Sequence, residues 1–408
     1  MKVALLAENY FPTLGGIQEH IHHLALSLLS YGHEVRVLTG SPGACCWKGP
    51  RDQDWVMRLG RARLYNALGS RTTVTFGPTV ARNLYRALRQ EKFDVVHVHG
   101  PCDFGLPSLL YQMYRGPLVA TLHSPMNCSS PLRRLAAPYY RYVLNRTDAV
   151  IAVSEAARNA MSRFASFESR IIPNGVDTAA LSMQQPLPQF HDGMINVLML
   201  GRLEPRNGPD IMFAALPRLL ARFPKMRLLV AGEGRDGIAS HQAMVPAFAR
   251  DRVVFLGAVY EERARLYASA QVCVVPARSG TFSIIVLEAL AAGVPVVATP
   301  FVEGWQNEPH FGPVKVCADF SPDALAAGIE ATLEQDCASR IAGGRKIAAA
   351  LDWARVGRRV EGVYGEVLDE ASRRSGALVA RNAPPLASTD EWATNANWRP
   401  DQGDAASS

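Results

Sequence analysis

Two short segments of this 408-residue sequence could bind an anion, because each joins an expected strand to an expected helix with glycines or arginines. The first contains Gly15 and Gly16, and a glycine pair lets backbone N–H groups approach an anion at the start of a helix. The second contains Arg202 and Arg206, whose guanidinium groups could neutralise a diphosphate through paired hydrogen bonds. From spacing alone, the glycine pair could equally be a simple turn, and the arginines a solvated basic loop.

A third segment, residues 280–288, leads from an apolar strand-like run into an apolar helical stretch. The start of such a helix directs unpaired N–H groups and the positive end of its dipole toward a phosphate. Glu288 is an acid among apolar neighbours, where charged groups usually have a partner. That partner is either a nearby arginine or a ligand hydroxyl, and the position after a strand favours the hydroxyl. The candidate binding residues here are Gly280, Thr281, Phe282, Ser283, Ile284 and Glu288.

Apolar runs typical of strands alternate with helical patterns along most of the chain. This alternation is typical of a parallel sheet covered by helices on both faces, and it occurs twice, before and after residues 179–193. We therefore predict an α/β fold made of two Rossmann-like, doubly wound domains facing a cleft. The expected strands are Lys2–Ala7, Glu34–Leu38, Asp94–His99, Leu118–Leu122, Ala149–Val153, Arg170–Ile172, Ile195–Leu200, Arg227–Ala231, Val253–Leu256, Val272–Val275 and Val294–Ala298.

The domain boundaries follow from changes in composition along the chain. We assign residues 1–178 to the first domain, 179–193 to a polar linker, 194–350 to the second domain and 351–374 to a C-terminal helix. Residues 375–408 have little apolar surface to bury and are expected to be disordered. In doubly wound folds, ligands bind outside the carboxyl ends of the strands, so all three candidate segments would meet in the cleft.

Overall composition restricts the class of protein. Hydrophobic residues make up 48% and charged residues 20%, which is ordinary for a globular protein. There is no uncharged apolar stretch of about 18 residues. Seven scattered cysteines, an odd number, argue against a disulfide framework. These features predict a cytoplasmic protein without a signal peptide or a membrane-spanning helix.

Basic charge is concentrated in residues 1–178, which carry 20 Lys and Arg against 12 Asp and Glu. Basic and aromatic residues mix within 82–92 and 133–146, and such stretches suit peripheral contact with anionic lipid at the inner face of a membrane. A solvated helix face would have the same spacing. No nucleic-acid-binding module or basic arm is recognisable, so we expect no nucleic-acid partner.

An ordered series of motifs resembles the retaining glycosyltransferases of the GT-B fold, family-4 type, over about residues 1–372. The stretch Ala214–Phe223 is also similar to bacterial phosphatidylinositol mannosyltransferases. The series includes Gly15-Gly16, Thr121-Leu122-His123, Pro173-Asn174-Gly175, Gly201-Arg202-Leu203 and Glu288-Ala289-Leu290.

The resemblance implies a donor, a site and a mechanism. Gly16 would approach the donor diphosphate, Arg202 would bind it, and His123 would lie beside the transferring sugar. Glu288 would accept hydrogen bonds from the ribose. A hexose would pass from a nucleotide diphosphate sugar to a lipid or glycan acceptor with retention of configuration, without a side-chain nucleophile, a metal or any cofactor besides the donor. Of the histidines on the first helix, only His20 gains support.

Three positions depart from the family pattern. Gly280 replaces a glutamate that contacts the sugar, and Ser283 replaces a glycine. Asn207 replaces a lysine that binds the diphosphate, which leaves Arg206 as a neighbouring substitute. Loss of such contacts can remove several kcal/mol of transition-state stabilisation. The alternative hypothesis is therefore a GT-B-fold binding protein whose transfer activity is weak or lost. A nucleotide-sugar epimerase or phosphorylase on the same architecture fits the motifs less well.

Overall fold

The computed structural model describes residues 1–42, 53–67, 70–123, 135–234, 237–280, 282–301 and 313–382. Residues 1–368 form one compact unit, and a second unit begins at Asp369. The first unit contains two parallel sheets flanked by helices, one within residues 2–171 and one within residues 195–316. We call them the N-terminal lobe and the C-terminal lobe. The predicted α/β architecture of two doubly wound sheets is confirmed.

The N-terminal lobe contains nine described strands and five described helices. The strands are β1 (Lys2–Ala7), β2 (Glu34–Ser41), β3 (Val56–Arg61), β4 (Arg63–Ala67), β5 (Ser70–Val74), β6 (Val95–His99), β7 (Leu118–Leu122), β8 (Ala149–Ala152) and β9 (Arg170–Ile171). The helices are α1 (Gly16–Ser30), α2 (Pro78–Glu91), α3 (Leu106–Met113), α4 (Ala137–Arg146) and α5 (Glu155–Ser162). Seven strands form a parallel sheet in the order β3-β2-β1-β6-β7-β8-β9, while β4 and β5 form an antiparallel hairpin. The order reverses between β1 and β6, which is where doubly wound sheets bind ligands.

The C-terminal lobe repeats this plan with six described parallel strands. The strands are β10 (Ile195–Leu200), β11 (Met226–Ala231), β12 (Val253–Gly257), β13 (Val272–Val275), β14 (Val296–Ala298) and β15 (Lys315–Val316). The helices that follow the first lobe are α6 (Thr178–Leu181), α7 (Pro209–Arg222), α8 (Gly237–Met244), α9 (Arg263–Ser269), α10 (Ile284–Ala292), α11 (Pro322–Glu334), α12 (Ala338–Ala350) and α13 (Trp353–Asn382). The sheet order is β12-β11-β10-β13-β14-β15, so its reversal lies between β10 and β13.

The predicted strands agree with the observed strands to within three residues at either end. Buried parallel strands are continuous apolar runs, and this makes them recognisable in a sequence. The sequence did not predict β3, the β4–β5 hairpin or β15, because β3 and β15 are edge strands and all four segments mix polar with apolar residues. Their existence depends on neighbouring strands more than on local composition.

Two predicted boundaries differ from the structure. Within 179–193, the end of α6 and a 3-10 turn at Pro188–Phe190 form, and Leu187 and Phe190 are buried, so this segment packs on the core. Helix α13 continues to Asn382, past the predicted end at 374. The remainder of the predicted disordered tail, 383–408, lies outside the described residues.

The first part of α13 returns to the N-terminal lobe. Trp353 stacks on His23 with ring centroids 5.8 Å apart, and the Tyr364 hydroxyl lies 2.7 Å from His97 Nδ1 at the centre of the first sheet. These contacts pack the first part of α13 against the N-terminal lobe. Although α13 is long, no helix in the described part of the chain combines the length and the apolar character needed to cross a membrane.

Candidate active site

The first helices after β1 and after β13 begin beside each other, although they belong to different lobes. A Cβ placed on Gly16 would lie 3.4 Å from Ile284 Cδ1, so the N-terminus of α1 contacts that of α10. Gly15 supplies no side-chain cap to α1, while Ser283 Oγ accepts a hydrogen bond from Val286 N at 3.4 Å. The positive ends of two helix dipoles therefore lie close together, and the N-terminus of a helix favours an anion.

The arginine segment lies next to this junction. Gly201 adopts a φ of 128°, and a Cβ on it would lie 3.1 Å from Ile285 Cδ1 in the first turn of α10. Arg202 follows directly, so both predicted anion-binding segments of the C-terminal lobe lie side by side. The side chains of Arg202 and Arg206 are 50% and 45% exposed and pair with the same carboxylate, Glu204, at 3.2 and 2.7 Å. A bound diphosphate would compete with Glu204 for these two cations.

The side chain of Asn207 forms a hydrogen bond within the loop that carries Arg202 and Arg206. Its side-chain Nδ2 donates a hydrogen bond to the backbone carbonyl of Arg202 at 2.6 Å. The amide therefore stabilises the backbone that carries Arg202, and it provides no charge to replace a lysine. Arg206 is left as the second cation of the segment, as the sequence suggested.

The position of Gly280 is filled by an aromatic ring from another segment. A Cβ at Gly280 would lie 3.0 Å from Phe301 Cε2, and Phe301 is only 8% exposed. A buried phenyl ring therefore lies in the space that a larger side chain at position 280, such as the glutamate of the family pattern, would enter. Phe282 is half-buried, and Thr281 lies outside the described residues.

Glu288 is 5% exposed, and both of its carboxylate oxygens have protein partners. Arg263 Nη2 lies 3.0 Å from Oε1, and the Tyr267 hydroxyl donates to Oε2 at 2.9 Å. Burial raises the pKa of Glu288, and the Arg263 charge opposes that rise. The sequence weighed an arginine partner against a ligand hydroxyl and favoured the hydroxyl. The arginine is present, while each oxygen keeps a second lone pair for a ligand donor.

Arg263 extends this pair across the lobes. Its Nη1 donates to Glu19 Oε1 at 2.8 Å, and Glu19 is a buried residue of α1, three positions after Gly16. Burial alone would raise the pKa of Glu19, but His23 and Arg263 lower it to about 2. Sequence reasoning missed the pairing of Arg263 with Glu19. Arg263 lies in a charged stretch, Glu261-Glu262-Arg263, with nothing to distinguish it from a solvated helix face.

Three histidines from different elements meet at the carboxyl ends of the first sheet. Candidate ligand nitrogens of His20, His99 and His123 all lie within 4.8 Å of one another, and His99 Nδ1 is 3.0 Å from His123 Nε2. His20 Nδ1 donates to Asn174 Oδ1 at 2.8 Å, which leaves its Nε2 as an acceptor. Burial lowers the pKa of His20 to about 4 and those of His99 and His123 well below their usual range. All three are therefore neutral near pH 7.

Among the described residues, His20, His99 and His123 have a geometry that could hold a metal ion. The buried Nε2 atoms of His20 and His99 have no hydrogen-bond partner among the described residues. The sequence analysis considered His20 only with the other histidines of its helix. The three histidines meet because His20 lies on α1 after β1, His99 ends β6 and His123 follows β7, and these three strands are neighbours in the sheet. The expectation of metal-independent chemistry stays a prediction. His97, in contrast, is a buried imidazole with two partners, Tyr364 and Thr121.

The suggested acceptor side presents basic and aromatic side chains to solvent. On α2, Arg82, Tyr85, Arg86 and Arg89 are exposed, while Leu84 is buried against the sheet. Exposed aromatic surface continues at Phe104, whose ring stacks on Tyr139 of α4 at 6.1 Å. The arginines at 133 and 134 lie outside the described residues.

Comparisons with known proteins agree with this architecture. Two family models match the chain, Glycosyltransferase Family 4 over residues 14–180 and Glycosyl transferases group 1 over residues 195–335. The chain is 32% identical to the phosphatidyl-myo-inositol mannosyltransferase of Mycolicibacterium smegmatis over 96% of this chain and 99% of the relative. Among solved structures, it is similar to sucrose-phosphate synthase from Thermosynechococcus elongatus, with a TM-score of 0.68, 21% identity and coverage of 90% and 99% of the two chains. Anabaena HepE in complex with UDP-glucose has a TM-score of 0.68 at 17% identity, with coverage of 90% and 100%.

Proposed function

This chain belongs to the family-4 glycosyltransferases, and from that premise we propose that it transfers a hexose from a nucleotide diphosphate sugar to a lipid or glycan acceptor, with retention of configuration. The observation that carries the proposal is the contact of Gly16 with Ile284. It places two helix N-termini, one from each lobe, at the same point beside Arg202. A diphosphate is the group that such an arrangement suits.

The reaction that follows uses few side chains. The bond between the sugar's anomeric carbon and the diphosphate oxygen breaks, and the acceptor oxygen bonds to the same face of that carbon. The acceptor's proton passes to the departing phosphate oxygen. N–H groups of α1 and α10, together with Arg202, would stabilise the negative charge that develops on the diphosphate. No step requires a metal, and His123 would contact the sugar as a neutral imidazole.

The donor's nucleoside would lie on the C-terminal lobe, with Glu288 accepting hydrogen bonds from the ribose. The mycobacterial relative is named for mannose transfer to phosphatidyl-myo-inositol, and the Anabaena protein binds UDP-glucose. Both support a hexose donor for this chain. The exposed basic and aromatic face of α2 supports an acceptor at an anionic lipid surface.

Donor profiling with purified full-length protein tests the proposal. GDP-mannose, UDP-glucose and other nucleotide hexoses are each supplied with phosphatidylinositol vesicles or with oligosaccharides, and nucleotide release and labelled product are measured. We expect turnover with one donor and product of unchanged anomeric configuration by NMR. Neither binding nor turnover with any donor would contradict the proposal.

A second candidate, a GT-B-fold protein that binds nucleotide sugar without efficient transfer, has a specific observation in its favour. Phe301 packs against Gly280, and Asn207 is used by its own loop, so two polar contacts of the family pattern are absent together. This candidate predicts nucleotide-sugar binding with turnover no faster than spontaneous hydrolysis. Robust transfer by the natural sequence would eliminate it.

A further inference from the structure

The guanidinium of Arg263 pairs with two buried carboxylates, one from each lobe. Arg263 Nη1 bonds Glu19 at 2.8 Å, and its Nη2 bonds Glu288 at 3.0 Å. Glu19 follows the Gly15-Gly16 turn on α1, whereas Glu288 lies on α10, which begins at the opposite side of the candidate anion site. A guanidinium group can bridge both acids because its donors are held in a rigid fork, and a lysine ammonium cannot match that geometry.

We propose that Arg263 is a positioning residue that couples the nucleotide-binding carboxylate of Glu288 to the N-terminal lobe through Glu19. The inference rests on the proposed function, because it assigns Glu288 a ligand. Arg263 keeps Glu288 ionised and oriented for the ribose hydroxyls, while Glu19 competes for the same positive charge. The charge available to Glu288 therefore depends on a residue of the opposite lobe.

The groups facing Glu288 define its ionisation. From α9 come Arg263 and the Tyr267 hydroxyl, and from α1 come Glu19 and His23. Cys273 on β13 and Tyr260, which precedes α9, also interact electrostatically with Glu288. Tyr260 supports the arginine, whose guanidinium carbon lies 5.4 Å from the centre of its ring. The two acids share one guanidinium, so a change at either acid alters the positive charge available to the other.

Removing the charge of Glu19 and removing the charge of Arg263 should shift the ionisation of Glu288 in opposite directions. In Glu19→Gln, a negative charge disappears and Arg263 is left to Glu288 alone, so Glu288 ionises at lower pH. In Arg263→Gln, both acids lose their cation and Glu288 ionises only at higher pH. Arg263→Lys retains the charge without the fork, so it should lie between the wild type and Arg263→Gln.

The test measures the affinity for GDP and for UDP as a function of pH by calorimetry. We expect the acid limb of nucleotide binding to move to lower pH in Glu19→Gln and to higher pH in Arg263→Gln, by roughly 0.5–1 pH unit each. Near neutral pH, Arg263→Gln should weaken nucleotide binding by roughly tenfold or more, as expected for a lost charge-assisted contact. Arg265→Gln is the matched control, because Arg265 lies on the same helix and, within the described part of the chain, its side chain donates to the carbonyls of Gln185 and Pro186 and contacts neither acid.

Thermal unfolding against pH, without nucleotide, separates this inference from the proposed function. If the wild type binds nucleotide and the acid limb stays in place in Glu19→Gln and Arg263→Gln, the coupling is refuted. If the wild type binds no nucleotide, the proposed function and the positioning role fail together. The unfolding curves still decide whether Glu19 and Glu288 share Arg263, because Glu19→Gln must then change the pH dependence of stability and Arg265→Gln must not. A uniform loss of stability at all pH values would indicate a structural role only and would overturn the proposal.

Discussion

Phe301 occupies the space beside Gly280 that a larger side chain would need. A Cβ on Gly280 would approach its ring to 3.0 and 3.2 Å, closer than nine in ten real contacts of that kind. The glycine and the buried phenylalanine therefore form a complementary pair. The departure from the family pattern at Gly280 is matched by a second residue that the motif does not contain.

Restoring the family's glutamate at this position should fail. Gly280→Glu is expected to destabilise the fold by about 1–3 kcal/mol through overpacking and to leave transfer no faster than in the wild type. Adding Phe301→Ala should recover part of that stability by vacating the space. Thermal unfolding and nucleotide release check both variants. Gly362→Glu is the control, because a Cβ at that exposed helical position meets nothing within 4 Å. Equal destabilisation by Gly362→Glu would refute the steric argument.

Arg202 should matter for activity and little for stability. Its guanidinium is half exposed, so Arg202→Gln should change the free energy of unfolding little. The same substitution is expected to lower kcat by roughly 10²–10³-fold, the scale of losing one donor to a developing negative charge. Arg206→Gln should have a smaller effect in the same direction. Steady-state kinetics and unfolding curves give the two readouts. Arg222→Gln, which removes an exposed partner of Glu334, should alter neither activity nor stability appreciably, and a loss of kcat there would contradict a specific role for Arg202.

Glu8, directly after β1, should make stability depend on pH. The carboxylate is buried and accepts hydrogen bonds from the amides of Thr75 and Leu106, yet burial dominates and raises its pKa to about 7. A raised pKa adds stability that is fully present below about pH 4.5 and is lost as pH rises through 7. Glu8→Gln should abolish that loss, which is about 2–3 kcal/mol between pH 4.5 and 8. Denaturant unfolding across this range tests it, with exposed Glu168→Gln as a control that keeps the wild-type slope.

Transfer should not depend on a metal ion. The proposed reaction uses none, so dialysis against EDTA is expected to leave turnover unchanged, and added Mg²⁺ should not increase it. The His20, His99 and His123 cluster makes this a demanding test, since neutral imidazoles are good zinc ligands. Elemental analysis of the purified protein gives an independent readout. Stoichiometric zinc that is lost in His20→Ala, together with inhibition by EDTA, would contradict the prediction.

The amino-acid sequence by itself determined the two-sheet architecture, most of its parallel strands and the segments around Gly16, Arg202 and Ile284. Those features depend on short-range patterns: continuous apolar runs, glycines at turns and helical periodicity. Each pattern reflects backbone geometry within about one element, so it can be recognised without knowing the partner elements.

Only the tertiary structure decided which side chains meet. Arg263 joins Glu19 to Glu288 across the lobes, and His20 joins His99 and His123 across three elements. Phe301 packs on Gly280, and Tyr364 caps His97 from the last described helix. These partners are far apart in the chain, and a charged or aromatic residue has the same local pattern whether it is solvated or buried. Burial and pairing are set by how the lobes pack, and that is why the sequence predicted the candidate segments while only the structure identified their side-chain partners.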